Sequence, residues 1–317
     1  MYKPTVSIII PTFNRSALLK RAIESVINQN YENIIEIIIT DDNSTDDTEK
    51  IVKEYQKKDS RIIYTKNSKY KPGPTGNKNN GLDLAKGEFI GILDDDDILL
   101  PDAVSKLVNI YLEKGYWHIL ANCLRSDNNK LSGKSYGKSE EVTYIDVICG
   151  KYEGEYWRIF HRDLLGNRRY PDDTWGAECV LEWQLLRLKP AYYLDVIVRI
   201  YNVENELSVS KKYYKFPERT FLNYKYILDI YGQDMKNFCP KNFIRYCIQG
   251  SIFAKLSGKY RNALQYSLKA FEVKGLFLLK FLLLVFAIIP IPKSITRILY
   301  SKILLKMQPL VKKLLKL

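Results

Sequence analysis

Cysteine, histidine and the common nucleotide-binding motifs are scarce or absent in this chain. Its 317 residues include five cysteines and two histidines, and no two cysteines form a CxxC pair. Scattered cysteines of odd number predict reduced, buried thiols rather than a disulfide framework. The absence of GxGxxG at the first helix and of a Walker loop argues against a dinucleotide cofactor and a P-loop. The N-terminus also lacks a charged segment followed by an apolar stretch, so we expect no signal peptide.

The excess of basic residues is concentrated near the C-terminal end. The formal net charge is +13, from 49 basic and 36 acidic residues. Residues 274–317 hold eight Lys, one Arg and no acid, which leaves 40 basic and 36 acidic side chains, or +4, for the other 273 residues. Nucleic-acid-binding domains usually carry a basic face, so the nearly balanced main body argues against one.

Short apolar segments alternate with helical patterns over the first two-thirds of the chain. The predicted strands are Val6–Ile10, Ile34–Thr40, Arg61–Thr65, Glu88–Leu93, Trp117–Leu124, Trp157–His161 and Tyr192–Tyr201. Strands that alternate with helices favour an α/β fold with a mostly parallel, Rossmann-like sheet and helices on both faces.

Polar clusters follow three of these strands, at Pro11–Arg15, Asp41–Ser44 and Asp94–Asp97. In a parallel sheet, ligands bind beyond the carboxyl ends of the strands, where such clusters meet. Four consecutive carboxylates repel one another and are costly to bury without a cation. Oxygen ligands of this kind suit Mg²⁺ or Mn²⁺, which often share their coordination with phosphates. A solvated acidic turn is the alternative, but the two neighbouring clusters favour a ligand site.

Two further segments carry chemistry. Residues 66–82 are rich in Pro, Gly, Asn and Lys and lead into a short helix that ends near Lys86. Amide donors and a lysine at a helix start suit a diphosphate, although a flexible surface loop has a similar composition. Glu178 stands at the predicted start of another helix and is a candidate general base. The alternative is an acid favoured there by the helix dipole.

The stretches Val6–Arg15, Thr40–Asp46 and Leu93–Asp97, with Pro101 beyond, resemble in order and spacing the motifs of the family 2 glycosyltransferases. The resemblance extends over residues 1–205. It implies the GT-A fold and transfer of a sugar from a nucleotide-sugar donor with inversion at the anomeric carbon.

The resemblance also implies roles for the donor-binding positions. Pro11, Thr12 and Asp41 are expected to hold the nucleobase and the ribose, and Asp95 is expected to face the ribose. These four residues come from three different strand ends, so the implied donor site spans the carboxyl edge of the sheet.

The implied metal and catalytic positions lie further along the chain. Asp96, with Asp94 as a helper, is expected to bind Mg²⁺ or Mn²⁺ bridging the donor's diphosphate, and Asn77 and Lys78 are expected to contact the donor. Glu178 occupies the position of the general base. The family often has a Glu-Asp pair there, whereas this chain has a cysteine after Glu178.

Within the family, Tyr70–Pro74, Gly76–Asp83, Trp175–Glu178 and Ala287–Pro290 resemble the branching glucosyltransferases of bacterial N-linked protein glycosylation. That likeness implies transfer of a β-linked glucose from UDP-glucose onto an undecaprenyl-diphosphate-linked oligosaccharide. Glycosyltransferases of capsule or lipopolysaccharide synthesis, and a sugar-nucleotide-binding protein without catalysis, are the alternatives.

The predicted domains are a catalytic domain over 1–205, a helical subdomain over 206–273 and a membrane-associating tail over 274–317. In the tail, Leu276–Ile289 is apolar except for Lys280. A helix of that length measures about 21 Å, short of the ~30 Å hydrocarbon core. Together with the basic residues beyond it, this predicts an amphipathic segment on the cytoplasmic face of the inner membrane. A packed core helix or a dimer helix is the alternative.

Overall fold

The structure is a computed structural model that describes residues 2–203 and 215–275, together with Lys280, Phe281 and Leu284. The chain divides into two compact units that do not follow one another simply in sequence. The first comprises the described residues within Met1–Val147, Tyr152–Asp172 and Leu181–Glu206, and the second those within Ile148–Lys151, Asp173–Val180 and Leu207–Leu317.

Strands and helices alternate through the first unit, as the sequence pattern predicts. The strands within residues 2–203 are β1 (Val6–Thr12), β2 (Ile34–Asp41), β3 (Ile62–Lys66), β4 (Phe89–Ile92), β5 (Ile98–Leu99), β6 (His118–Arg125), β7 (Glu140–Val142), β8 (Tyr156–His161) and β9 (Ala191–Tyr201). The helices in the same stretch are α1 (Ser16–Ile27), α2 (Thr48–Gln56), α3 (Pro74–Leu84), α4 (Ala103–Lys114), α5 (Tyr144–Ile148), α6 (Arg162–Leu165) and α7 (Glu178–Leu188).

These strands form one mixed sheet, in the order β3-β2-β1-β4-β8-β6-β9-β5, with β7 paired to β9. The pairs β1–β2, β1–β4, β2–β3 and β6–β9 are parallel. The pairs β4–β8, β6–β8, β5–β9 and β7–β9 are antiparallel. The expected α/β class is confirmed. Of the nine strands described, β1 to β4, β6 and β9 run in one direction, so the sheet is mostly parallel, as expected. Strands β5, β7 and β8 run opposite to these six.

Helices cover both faces of the sheet, as expected. Side chains alternate along β1, so that Ile8 and Ile10 join a core with Leu19 of α1 and Leu107 of α4. Ile9 points to the other face, where the core includes residues of α3, α6 and α7. This alternation is the strand period of two acting on a sheet that is buried on both sides.

The segment before β4 is a buried helix rather than a flexible surface loop. Helix α3 begins at Pro74, and its residues from Thr75 to Leu82 are buried. A proline is well accommodated in the first helical turn, because the amide hydrogen it lacks has no helical partner there. A Cβ on Gly81 would lie 2.4 Å from the Ile9 side chain, so this glycine lets α3 pack closely against β1.

The chain after the acidic run forms a short strand before the next helix. Ile98 and Leu99 form β5, and α4 begins at Ala103. Strand β5 pairs with the distant strand β9, where Leu99 lies opposite Arg199. A two-residue strand has no periodicity of its own, so only its distant partner reveals it.

Three helices make up most of the second unit: α8 (Pro217–Phe238), α9 (Pro240–Leu256) and α10 (Tyr260–Phe271). Gly258, which has a φ of 76°, separates α9 from α10. None of the described helices is both long and apolar enough to cross a bilayer. Of the predicted tail segment 276–289, only positions 280, 281 and 284 are described, and the tail beyond 289 lies outside the described residues.

Two earlier stretches of chain belong to this helical unit. Asn223 of α8 accepts a hydrogen bond from the Trp175 amide at 3.0 Å, and Asn242 of α9 donates one to the Ile148 carbonyl at 2.6 Å. Cys149 and Cys239 form a disulfide in this region, with Cα atoms 5.3 Å apart.

The expectation of reduced cysteines is therefore wrong for this pair. The two residues are 90 positions apart, and sequence spacing alone gave no sign that the fold brings them together. Cys123, Cys179 and Cys247 are not part of a disulfide.

Candidate active site

The three polar clusters meet at the carboxyl ends of neighbouring strands. Thr12 and Asp41 are register partners at the ends of β1 and β2. Strand β4, which leads into the acidic run, pairs with the other side of β1. The Thr12 hydroxyl donates a hydrogen bond to Asp95 Oδ2 at 2.8 Å. The predicted clustering of Thr12, Asp41 and the acidic run at one edge of the sheet is therefore observed.

The acidic run forms a tight turn with an inner and an outer side. The Asp97 amide donates to the Asp94 carbonyl at 3.1 Å, which closes the turn. Asp95 and Asp97 are buried, whereas the Asp94 and Asp96 side chains are 40% and 11% exposed. Asp97 lies 3.1 Å from Arg199 of β9. The turn thus presents alternate carboxylates outward, and these are the two positions expected to bind a metal ion.

Cations also approach the other three carboxylates. Arg15 Nη1 lies 2.9 Å from Asp95 Oδ1 and 3.1 Å from Asp96 Oδ2. Lys78 Nζ lies 3.2 Å from Asp94 Oδ1. Arg15 follows β1 and Lys78 belongs to α3, so cations from two different elements converge on this turn. Such pairing offsets the repulsion that four adjacent carboxylates would otherwise suffer.

The inner and outer carboxylates differ in acidity. Burial raises the pKa of Asp95 to about 7, although Arg15 opposes the shift. Burial also raises the pKa of Asp97 despite its arginine neighbour. Desolvation acts in the same direction on Asp94, but Lys78 and the other nearby cations hold its pKa below the usual value. The outward carboxylate Asp94 therefore stays charged at neutral pH.

Asn77 fastens α3 to the ends of two strands. Its side-chain amide donates to the carbonyls of Thr12 at 3.1 Å and Thr40 at 2.8 Å, and its Oδ1 accepts from the Thr40 hydroxyl at 2.8 Å. These bonds fix the start of the helix and hence the position of Lys78. The predicted contact of Asn77 with a donor stays a prediction, since its amide group is already engaged in positioning.

Asp41 is held by neutral donors rather than by cations. Its Oδ1 accepts from the Ser44 amide at 2.9 Å and hydroxyl at 2.6 Å, and its Oδ2 accepts from the Tyr64 hydroxyl at 2.6 Å. The side chain of Asn14, which has a φ of 51°, accepts from the Thr45 amide at 2.7 Å. The loops after β1 and β2 are thereby tied to each other. The nucleotide contact expected of Asp41 remains untested.

Phe13 was not singled out by its sequence, yet 52% of its surface is exposed between the buried Thr12 and the Asn14 turn. An exposed aromatic ring beside a strand end offers a flat apolar face for a ring-shaped ligand. The sequence did not predict that the Phe13 ring is exposed, because aromatic residues next to a strand usually join the core.

Glu178 is the first residue of α7 and is partly exposed. It belongs to the second unit, with Trp175 and Gly176 before it. Trp175 stacks on Phe216, with ring centres 4.1 Å apart. Its role as a base stays a prediction. Glu182, one turn later, forms an ion pair with Arg158 and is thus engaged elsewhere.

Comparison with known proteins identifies the family. Residues 7–172 match the model of glycosyl transferase family 2. The chain belongs to this family. The resemblance inferred from the three motifs is therefore confirmed, and the protein is a family 2 glycosyltransferase.

Relatives of this glycosyltransferase include enzymes with defined reactions. It is 37% identical over 279 residues to the GalNAc(5)-diNAcBac-PP-undecaprenol beta-1,3-glucosyltransferase of Campylobacter jejuni, a match that covers 86% of this chain and 89% of that one. It is 33% identical over 166 residues to the UDP-Glc:alpha-D-GlcNAc-diphosphoundecaprenol beta-1,3-glucosyltransferase WfgD of Escherichia coli, across 52% of this chain and 64% of WfgD.

A solved structure shares the fold of the glycosyltransferase. TarS 1–349 of Staphylococcus aureus, in complex with UDP-GlcNAc, superposes with a TM-score of 0.62. The match covers 89% of this chain and 79% of that one at 20% identity, which is a likeness of fold.

The acidic turn suits a metal ion whose coordination is shared with a ligand. Within the described residues, no group of three or more His, Cys, Asp or Glu side chains is arranged to hold a metal ion. The turn instead presents two outward carboxylates, Asp94 and Asp96, each paired with a cation. Mg²⁺ is commonly bound through one or two carboxylates plus the phosphates of a substrate. These residues fit that mode and do not form an all-protein cage.

Sequence reasoning missed the cations of this site. Arg15 and Arg199 contact three of the four carboxylates between them, yet neither was given a role. Arg15 directly follows the Asn14 turn in the first motif and could have been suspected from that position. Arg199 lies in a strand of ordinary composition, so only the fold reveals it.

Proposed function

We propose that the chain transfers glucose from UDP-glucose, with inversion, onto an undecaprenyl-diphosphate-linked oligosaccharide in protein N-glycosylation. The observation that carries the proposal is its likeness, along most of its length, to an undecaprenol-linked beta-1,3-glucosyltransferase. The donor assignment draws on WfgD, whose name specifies UDP-glucose. The acidic turn with Lys78 beside it is the local chemistry that a nucleoside diphosphate requires.

In this proposal the diphosphate lies at the outer side of the acidic turn. Asp94 and Asp96 would hold Mg²⁺ or Mn²⁺, which when bound stabilises negative charge on the leaving nucleoside diphosphate as a Lewis acid. Lys78 sits 3.2 Å from Asp94 and carries a further positive charge to the same place. Its burial in α3 fixes the ammonium group in position before the donor arrives.

The nucleoside would occupy the ends of β1 and β2. Pro11, Thr12 and Asp41 border this space, and the exposed ring of Phe13 supplies an apolar face for the base. Asp95 is 3% exposed and accepts from Thr12 and Arg15. We therefore propose that Asp95 mainly holds Thr12 and Arg15 in position beside the ribose. A direct contact of Asp95 with the ribose would contribute less.

Glu178 is the base of the proposed mechanism. An acceptor hydroxyl attacks the anomeric carbon from the face opposite the diphosphate, and Glu178 takes the hydroxyl proton as the new bond forms. A positioned general base contributes about 10² to 10⁴ in rate. The sugar–phosphate bond breaks as its electron pair passes to the leaving diphosphate oxygen.

The test is a panel of nucleotide sugars offered with an undecaprenyl-diphosphate-linked oligosaccharide, with products read by mass. We expect addition of a single hexose from UDP-glucose and a requirement for Mg²⁺ or Mn²⁺. Glu178→Gln should keep UDP binding and slow transfer by about 10² to 10⁴. Transfer of another sugar would contradict the donor assignment, and normal turnover by Glu178→Gln would contradict the base.

A second acceptor class is favoured by a specific observation. WfgD acts on GlcNAc-diphosphoundecaprenol, which is a lipid-linked monosaccharide rather than a longer oligosaccharide. The same panel decides between them, because a lipopolysaccharide-type enzyme should use GlcNAc-diphosphoundecaprenol at least as well as the oligosaccharide.

We also propose that residues 274–317 bind the cytoplasmic face of the inner membrane, which would bring the enzyme to a lipid-linked acceptor. Support comes from the nine basic and no acidic residues of this segment and from its apolar content. Removal of the segment should move the protein from the membrane pellet to the supernatant. Retention in the pellet after this deletion would argue that another surface binds the membrane.

A further inference from the structure

Arg199 is a buried cation that lies outside the three sequence motifs. Its side chain is 4% exposed, and each of its three nitrogens meets a different partner. Nη1 lies 3.1 Å from Asp97 Oδ2, Nε donates to Cys123 Sγ at 3.1 Å, and Nη2 donates to Glu155 Oε2 at 3.3 Å. A guanidinium group is suited to such a position, because its planar fork presents several donors in fixed directions.

Asp97 is the member of the acidic turn that faces Arg199. It is completely buried, and its Oδ1 accepts from the Asn202 amide at 2.8 Å. Its Oδ2 faces the arginine as an ion pair without the alignment of a hydrogen bond. Both oxygens of Asp97 are therefore directed toward β9 and the residue that follows it, away from the outer side of the turn.

The backbone around the turn is anchored to the same strand. Leu99, which lies two residues after Asp97 in β5, pairs with Arg199 of β9. At the other end of the turn, the Leu93 amide donates to the Ile9 carbonyl of β1 at 2.9 Å. The acidic turn is thus held between β1 on one side and β9 on the other.

We propose that Asp97 and Arg199 form a positioning pair that sets the orientation of Asp94 and Asp96 toward the diphosphate. This inference rests on the proposed function. The Asp97 amide closes the turn onto the Asp94 carbonyl, so a displacement of Asp97 also displaces the outward carboxylates. Arg15 and Lys78 pair with the other three acids, whereas Arg199 neutralises Asp97, which is completely buried.

The experiment measures UDP binding by calorimetry over a series of Mn²⁺ concentrations, without any acceptor. The variants are Asp97→Asn, which keeps an acceptor for the Asn202 amide, Arg199→Met, Arg199→Lys and the double variant Asp97→Asn/Arg199→Met. Asp97→Asn and Arg199→Met should need about 10- to 100-fold more Mn²⁺ for half-maximal UDP binding, the range seen when groups supporting a metal ligand are removed.

Two comparisons distinguish positioning from a general loss of stability. The double variant should be no worse in Mn²⁺ dependence than the worse single variant, because the two residues act as a unit. Arg199→Lys retains the charge opposite Asp97, so it should reach half-maximal UDP binding at a Mn²⁺ concentration close to that of the wild type. Thermal unfolding of each variant, followed by circular dichroism, shows that binding is measured on folded protein.

The ion pair of Asp59 and Arg61 is the matched control. It lies in the same unit, and its closest contact is 2.6 Å. Asp59→Asn and Arg61→Met should leave the Mn²⁺ dependence of UDP binding unchanged.

A folded Asp97→Asn or Arg199→Met protein that reaches half-maximal UDP binding at the wild-type Mn²⁺ concentration would overturn the inference. If Arg199→Met does not fold, the result for Asp97→Asn decides. Failure of the wild-type protein to bind UDP at any Mn²⁺ concentration has a different signature, since it removes the proposed function itself and this inference with it.

Discussion

Two acidic clusters lie at the ends of β2 and β4, the strands on either side of β1, and they are stabilised in opposite ways. At the end of β2, Asp41 is held by the Ser44 backbone and side chain and by Tyr64, all of them neutral donors. After β4, the four carboxylates of the acidic turn are held by Arg15, Lys78 and Arg199. Both clusters come from similar sequences of consecutive aspartates.

The kind of partner around each cluster indicates whether the cluster mainly stabilises the fold or can bind a ligand. Neutral donors aimed at fixed carboxylate oxygens define a loop conformation, and their geometry leaves little room for another partner. Cations near partly exposed carboxylates neutralise charge and can give way to another cation. We therefore expect the first cluster to contribute mainly to stability and the second mainly to ligand binding.

The largest expected effect follows from a change in the second cluster. Asp96→Asn removes an outward carboxylate and should slow sugar transfer by about 10² to 10³, the typical loss when one electrostatic contact to the transition state is removed. Metal-dependent UDP binding should weaken in parallel, with little change in melting temperature. Initial rates and calorimetry measure these effects.

Asp102→Asn is the control for this substitution. Asp102 lies six residues later, is 42% exposed and pairs with Lys106. The variant should keep both transfer and UDP binding. If Asp96→Asn instead lowered stability and kept metal-dependent binding, the distinction between the two clusters would be lost.

A buried histidine without a hydrogen-bond partner among the described residues sharpens the comparison. His118, at the start of β6, is 1% exposed, and neither ring nitrogen has a hydrogen-bond partner among the described residues. Burial, with a contribution from the nearby Arg158, lowers the pKa of His118 from 6.5 to about 3. The unfolded histidine takes up a proton below its usual pKa while the folded one stays neutral, so stability falls as the pH drops from 6.5 toward 3.

His118→Leu should remove this part of the acid sensitivity. Between about pH 7 and about pH 5 the wild type should lose roughly 2 kcal/mol more unfolding free energy than the variant. Denaturant titrations at each pH measure the difference, and subtraction removes the contributions of the buried aspartates, which act in the opposite direction. Parallel curves for the two proteins would show that His118 is protonated in the folded state.

The smallest expected effect belongs to the first cluster. Tyr64→Phe removes one neutral donor from Asp41 and should lower the free energy of unfolding by about 1 to 2 kcal/mol. The Mn²⁺ concentration for half-maximal UDP binding should stay the same. A shift in that concentration would mean that the Asp41 cluster, too, contributes to the metal site.

Local sequence patterns predicted the first half of the fold well. Strands β1 to β4 are short apolar runs, each followed by polar residues, and their parallel register brings those polar ends together as expected. The composition of residues 66–82 misled because Asn, Pro and Lys are typical of loops. In the fold, the side-chain amide of Asn77 donates hydrogen bonds to two backbone carbonyls, which allows this polar residue to be buried in a helix.

The second half depends on contacts between distant residues. Three features of this half join residues far apart in the chain: the antiparallel pairing of β8 with β4, the pairing of β5 with β9, and the Cys149–Cys239 disulfide. A strand of two residues is too short to show a sequence periodicity. Nothing in the sequence around Arg199 distinguishes it from an ordinary strand residue. The acidic run could be recognised from sequence, but its pairing with Arg199 could not.

The interleaving of the two units has a consequence for any shortened form of the protein. The stretches 148–151 and 173–180 precede residue 205, yet they fold with α8 and α9 through contacts such as Asn223 to Trp175 and Asn242 to Ile148. Glu178 lies in one of these stretches. A polypeptide that stops at residue 205 would keep every residue of the proposed donor site, but the stretch that holds Glu178 would lack the helices it folds against.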